Sequence, residues 1–128
     1  MQFGATGVAS SVHEAGGSDV LLDFAGSSAA LQDALHALDG QGVAVLAGSV
    51  APDKAVALDP ESVVRRQLSI LGVHNYEPRH LSAALKFLHD TSDRYPWPDL
   101  VAQPRPLDAI ADLLVNPPGS LPRYSVTP

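Results

Sequence analysis

The sequence predicts an α/β fold, a small parallel sheet of three to four strands with flanking helices. Three observations predict it. The runs Asp19 to Gly26, Gly42 to Ser49 and Leu68 to Tyr76 are near-continuously apolar at their centres, as strands covered on both faces are. Helix-like stretches separate them in a strand–helix–strand rhythm, which implies parallel pairing and right-handed crossovers. Each run also ends in small residues that let a backbone come close to a ligand, as in nucleotide-binding sheets.

Taken in order, residues 1–18 are rich in Gly, Ala and Ser, and Phe3 to Val12 has room for one short strand. The first firm strand is Val20 to Ala25. Ser28 then reads as an N-cap, with Leu31, Ala34, Leu35 and Leu38 at i, i+3, i+4 and i+7 and Gly40 as the stop. Val43 to Ala47 is the second strand. Asp59, Pro60 and Glu61 start a short helix, combining an N-cap acceptor, a proline at the first position and an acid in the first turn. Leu68 to Leu71 returns to strand. A longer helix follows Pro78 with Leu81, Ala84, Leu85 and Leu88 on one face. Tyr95 to Pro98 reads as a rigid bend, and Asp108 as the cap of a last helix that Pro117 and Pro118 stop. Tyr124 to Val126 reads as a closing strand.

The totals narrow the function. The 128 residues suit a domain with a real core, and 45% hydrophobic against 17% charged residues argues against disorder. A net charge of −6 disfavours nucleic acid, since phosphate contacts need clustered Lys and Arg and the sole adjacent basic pair is Arg65–Arg66. No apolar run approaches the ~20 residues of a membrane helix, and the N-terminus lacks a charged-then-apolar signal pattern. The expected location is cytoplasmic, with no membrane partner. The absence of cysteine excludes disulfides, thiolate zinc sites and cysteine nucleophiles within these residues.

Several motifs now fall into one order: Gly-Ala-Thr at Gly4 to Thr6, a Gly-led Asp-Val strand at Gly17 to Gly26, and Gly-x-Gly with its strand at Gly40 to Gly48. Gly72 stands in the third strand, Pro106, Leu107, Asp108 and Ile110 open the last helix, and Arg123 to Val126 close the chain. In that order they resemble the C-terminal portion of the zinc-type medium-chain dehydrogenase/reductase family, the alcohol dehydrogenase superfamily. Gly72 to Tyr76 together with Ala47 to Val50 is similar to a subgroup of alcohol dehydrogenases associated with phosphonate catabolism. The resemblance implies the second half of a Rossmann-type domain over residues 1–92 and a C-terminal segment of the catalytic domain over 93–128. It also implies descent from an NAD(P)-linked alcohol oxidoreductase in which zinc polarises the alcohol oxygen and hydride passes to nicotinamide.

The family's zinc-binding residues, its structural four-cysteine loop and its Gly-x-Gly-x-x-Gly phosphate turn are not among these 128 residues. No zinc is therefore expected here, NAD or NADP is expected to bind weakly or not at all, and turnover by these residues alone is not expected. No catalytic residue is assigned. By position the resemblance implies cofactor contacts at Phe24, Ala25 and Gly26, at Ala47, Gly48 and Ser49, and at Val73 and His74, with Arg123 reaching cofactor phosphates. Turn geometry alone would also explain the small residues, and a solvated surface position would also explain Arg123.

Other chemistries have less footing. His13, His36, His74, His80 and His89 form no i, i+4 metal pair, and no serine sits in a Gly-x-Ser-x-Gly elbow. Asp23 lies at a strand end like a receiver-domain phosphoacceptor, but the acidic pair and late lysine of such a domain are not found. Arg65–Arg66 suits a phosphate or, more simply, a solvated helix face.

Without a preceding pair of strands, Val20 to Phe24 forms an apolar sheet edge, covered by Phe3 to Val12 or by another chain. The resemblance implies a dimer through the opposite edge, Leu68 to Val73. A homo-oligomer is expected, with a partner chain supplying the first half as a further expectation. The competing class is a non-catalytic nucleotide-binding or oligomerisation module that completes such a partner.

Overall fold

A computed structural model describes residues 3–51, 53–116, 119 and 121–128. Gly7–Tyr76 forms one compact unit, and residues 77–128 with the N-terminal segment through Thr6 form another.

In the first unit the apolar runs become β1 (Ser18–Asp23), β2 (Leu38–Leu46) and β3 (Ser69–Gly72), all parallel in the order β1-β2-β3. The helices are α1 (Val12–Ala15), α2 (Ser28–Ala37) and α3 (Pro60–Arg66). The predicted α2 stripe is the centre of the core: Leu31, Leu35 and Leu38 cluster with Ala44, and Leu21, Leu46, Val56, Leu68 and Ile70 pack around them. Strand alternation explains that set, because Leu21, Ala44 and Ile70 lie abreast in the register and share the face that receives α2. Val20, Leu22 and Leu71 alternate to the other face and are exposed.

Three local expectations are corrected. Phe3 to Val12 holds no strand; instead Ser11 caps the short α1 by accepting from Glu14 N–H, and polar Ser and Gly neighbours offer no alternating face to a sheet. Ser27, not Ser28, caps α2, its Oγ accepting from Ala30 N–H. Gly40 does not end that helix. The chain passes from Ala37 directly into β2 at Leu38, whose side chain completes the α2 stripe and is 3% exposed.

The start of α3 is as predicted: Asp59 Oδ1 accepts from Glu61 N–H and Pro60 occupies the first turn. Gln67 at φ 53° ends it. Arg65 pairs with Glu61 and Arg66 donates to Ser62 Oγ, so both arginines are engaged along their own helix. The loop after β2 is held to α2 at two points. Gln32 both donates to Ala57 O and accepts from Ala57 N–H, and Asp53 accepts from Ser28 N–H.

In the second unit, α4 (Pro78–Asp90) carries the predicted apolar stripe, with Leu81, Leu85 and Leu88 exposed. Phe3, Phe87, Tyr95 and Trp97 form an aromatic cluster with ring centroids 5.3–6.0 Å apart. The Trp97 indole donates to Thr91 Oγ1, which satisfies its one polar atom. The bend after Tyr95 is a 3-10 turn, Trp97–Leu100. Strands β4 (Arg105–Pro106) and β5 (Val126–Thr127) pair in parallel, and a bridge joins Val101 to Arg123. Asp108 does not cap the last helix, α5 (Ile110–Val115). It lies in a 3-10 turn, Leu107–Ala109, that leads straight into α5 with Ala109 at the N-cap. The stop expected at Pro117–Pro118 falls outside the described residues. Among the described residues no helix is long and apolar enough to cross a membrane.

Candidate functional site: the strand ends of the three-stranded sheet

Register brings the candidate residues together. Asp23 pairs with Leu46 and Leu46 with Gly72, so the three strands finish abreast and their following turns leave at the same sheet end. Ala47 N–H and Gly48 N–H both donate to Asp23 O, and Val73 N–H donates to Leu46 O, which carries the ladder one step past each strand.

The two glycines of these turns are there for space. A Cβ on Gly48 would lie 2.4 Å from the Phe24 carbonyl carbon and 2.6 Å from Gly26 N. One on Gly26, at φ +66°, would lie 2.3 Å from Gly48 O. Each contact is with backbone, which cannot swing away as a side-chain tip can. The β1 and β2 turns therefore touch main chain to main chain, the close approach that only glycine permits.

Asp23 ties the same turns together from beneath. It is 8% exposed, and its Oδ1 accepts from Ala25 N–H at 3.1 Å and Gly26 N–H at 3.0 Å. Its Oδ2 accepts from the Ser49 hydroxyl at 3.1 Å. Three donors on one carboxylate offset much of the cost of burying it.

Leu46, Ala47, Ser49, Val50, Gly72, Val73 and His74 line an open cleft of about 450 Å³, within the span of roughly 300–1,000 Å³ usual for small-molecule sites. Four of the predicted contacts, Ala47, Ser49, Val73 and His74, thus share one wall. Gly26 and Ser49 also line an adjoining recess with Ser28, Asp53 and Lys54. Hydrogen bonds from Ser28 and from the Lys54 backbone hold the Asp53 carboxyl below the usual aspartate range. Phe24 is exposed on the β1 side and Ala25 is held in the turn by Asp23. Arg123 belongs to the other unit, where its backbone O accepts from Ala102 N–H and its guanidinium donates to Pro122 O.

The motif reading of Asp23 missed its structural part. An Asp followed closely by Gly at a strand end signals an Asx-type turn, and that much was readable. The bond to Ser49 spans 26 residues and carries no local signal. Among the described residues no three His, Asp or Glu side chains converge as a metal site, and the chain has no cysteine. The residues present therefore do not fit a catalytic zinc.

The family of zinc-binding dehydrogenases matches residues 3–90. A zinc-binding dehydrogenase of Sinorhizobium meliloti 1021, solved bound to NADP, is similar at a TM-score of 0.74 and 24% identity, over 88% of this chain and 32% of that one. Benzyl alcohol dehydrogenase from Acinetobacter calcoaceticus is similar at 0.63 and 22%, over 80% of this chain and 28% of the other. An alcohol dehydrogenase zinc-binding domain protein from Burkholderia ambifaria is similar at 0.63 and 25%, with the same coverages. The chain thus spans about a third of the length of these solved structures. No curated protein matches it.

Proposed function

Because the chain belongs to the zinc-binding dehydrogenase family, we propose that it forms the nicotinamide-side part of the NAD(P) cleft of a cytoplasmic alcohol dehydrogenase-like oxidoreductase. In that reading it is the C-terminal portion of such an enzyme. The observation that carries this is the alignment of Asp23, Leu46 and Gly72, which brings the β2 and β3 turns around one cleft and Gly26 of the β1 turn to the adjoining recess, at the sheet end where open α/β sheets take their ligands. The relative solved with NADP supports the same ligand class.

Backbone groups at Phe24 to Gly26, Ala47 to Ser49 and Val73 to His74 are assigned to the cofactor, and Arg123 to its phosphates. When bound, the nicotinamide ring supplies a hydride acceptor. This chain supplies apolar walls, turn backbone and the Ser49 hydroxyl. The donor set offers zinc no site, and no step is assigned to it. Isothermal titration with NAD and NADP tests the reading. Weak binding of either, with no alcohol-dependent NAD reduction by the 128 residues alone, is the expected result. Heat from neither cofactor overturns the cofactor assignment.

A second reading, an oligomerisation module, has its own observation. Among the described residues both β1 and β3 are sheet edges, and Val20 and Leu22 of β1 are 58% and 57% exposed. Unpaired edges with apolar neighbours invite strand addition. We assign the β3 edge, Leu68 to Val73, to a homodimer and the β1 edge to a partner chain that supplies further strands. Light scattering at micromolar concentration is expected to give at least twice the chain's 13.4 kDa, and a monomer mass rejects this assembly.

A further inference from the structure

The second unit is built from two stretches of chain that the first unit separates. Its N-terminal piece ends at Thr6, its larger piece begins at Glu77, and Gly7–Tyr76 lies between them in sequence. The Phe3 ring joins the two pieces: it stacks on Tyr95 at 6.0 Å and 27° and tilts against Trp97 at 5.3 Å. Gly4 follows it onto the same ring, since a Cβ there would lie 3.4 Å from the Tyr95 hydroxyl. The other rings of the cluster, Phe87, Tyr95 and Trp97, all come from the larger piece.

These contacts close a loop through the first unit. While that unit is folded, α1 near its start packs on α2 and β3 near its end pairs with β2, so the separation of its two ends is set. When it unfolds, Phe3 reaches Tyr95 and Trp97 only by closing a flexible loop of roughly 70 residues, which lowers the effective concentration of the ring by a factor on the order of several hundred. We propose that Phe3 is a clasp that couples the two units: the Trp97 cluster is closed while the first unit is folded and loosens when it opens. A ligand that stabilises the sheet unit then tightens the second unit through the same ring, with no contact of its own there. The clasp does not depend on which ligand that is.

Trp97 is the only tryptophan, so its fluorescence during urea unfolding reports the second unit. Hydrogen exchange at the β2 amides reports the first. Leu38→Ala, in the first unit's core, is expected to lower the midpoints of both signals in the parent chain. Phe3→Ala is expected to raise the open population of the Trp97 cluster by about tenfold, the order of a lost aromatic contact and its burial. In that background Leu38→Ala is expected to move the β2 signal and leave the Trp97 signal in place, a double-mutant cycle that isolates the coupling. Phe3→Leu, which keeps apolar bulk without the ring, serves where Phe3→Ala leaves no folded second unit, and is expected to shrink the Leu38→Ala shift at Trp97. A shift at Trp97 of the same size with and without the Phe3 ring, or none in either chain, overturns the clasp.

Discussion

Gly48→Ala is expected to destabilise the first unit by at least about 3 kcal/mol, the upper part of the overpacking range. The added methyl would meet the Phe24 carbonyl carbon at 2.4 Å and Gly26 N at 2.6 Å, and both belong to the turn that the Asp23 carboxylate holds in place. Relief would require parting the β1 and β2 turns, which breaks the bonds from Ala47 and Gly48 to Asp23 O. The urea midpoint measures the loss. Gly40→Ala is the control, because a methyl there has nothing within 4 Å; it is expected to stay within about 1 kcal/mol of the parent. A midpoint for Gly48→Ala equal to that of Gly40→Ala would show that the turns are not in backbone contact.

Leu38→Ala carries the second large effect. Leu38 is the most buried side chain of the α2 stripe and sits where helix, sheet and the Leu31–Leu35 cluster meet. Truncation removes transfer energy and leaves a cavity, and about 3 kcal/mol is expected. The cavity has little chance to close, since Leu38 is fixed by β2 pairing with Ser18 on one side and by α2 on the other. Leu114→Ala, at an exposed position of α5, is expected to change stability by less than about 0.5 kcal/mol. Equal denaturant midpoints for the two variants would remove Leu38 from the core.

The comparison with the sequence divides along the range of the interactions. Strand, helix and strand from Ser18 to Gly72 were readable because burial on a parallel sheet leaves an apolar run and a 3.6-residue stripe leaves a face. The α3 start was readable because Asp59, Pro60 and Glu61 act within one turn. The α2 end was misread: Gly40 is a good local stop, but pairing of Leu38 with Ser18 draws the chain into strand two residues sooner. Asp108 was misread for a related reason, since its N-cap chemistry yields where a 3-10 turn already feeds the helix. In α4 the stripe of Leu81, Leu85 and Leu88 was correctly located, but periodicity tells which face is apolar and not what covers it. At the site, small residues at strand ends were legible one turn at a time. What joins them, the contact of Gly26 with Gly48 and the bond of Asp23 to Ser49, depends on sheet register and is not written in any one segment.

The passage from Ala37 into Leu38 without an intervening loop also sets how this fold tolerates length changes in evolution or engineering. One residue added at that junction must be absorbed by helix or by strand. In the helix it turns the stripe by about 100°, carrying Leu31 and Leu35 off the sheet. In the strand it reverses the alternation, sending Ala44 outward and Val43 inward. The segment between β2 and α3, hydrogen-bonded to α2 at Ser28 and Gln32 and packed on the core through Val56, forms no helix or strand among its described residues and can take the same insertion at small entropic cost. Length variation among relatives should therefore collect after β2 and be missing between α2 and β2.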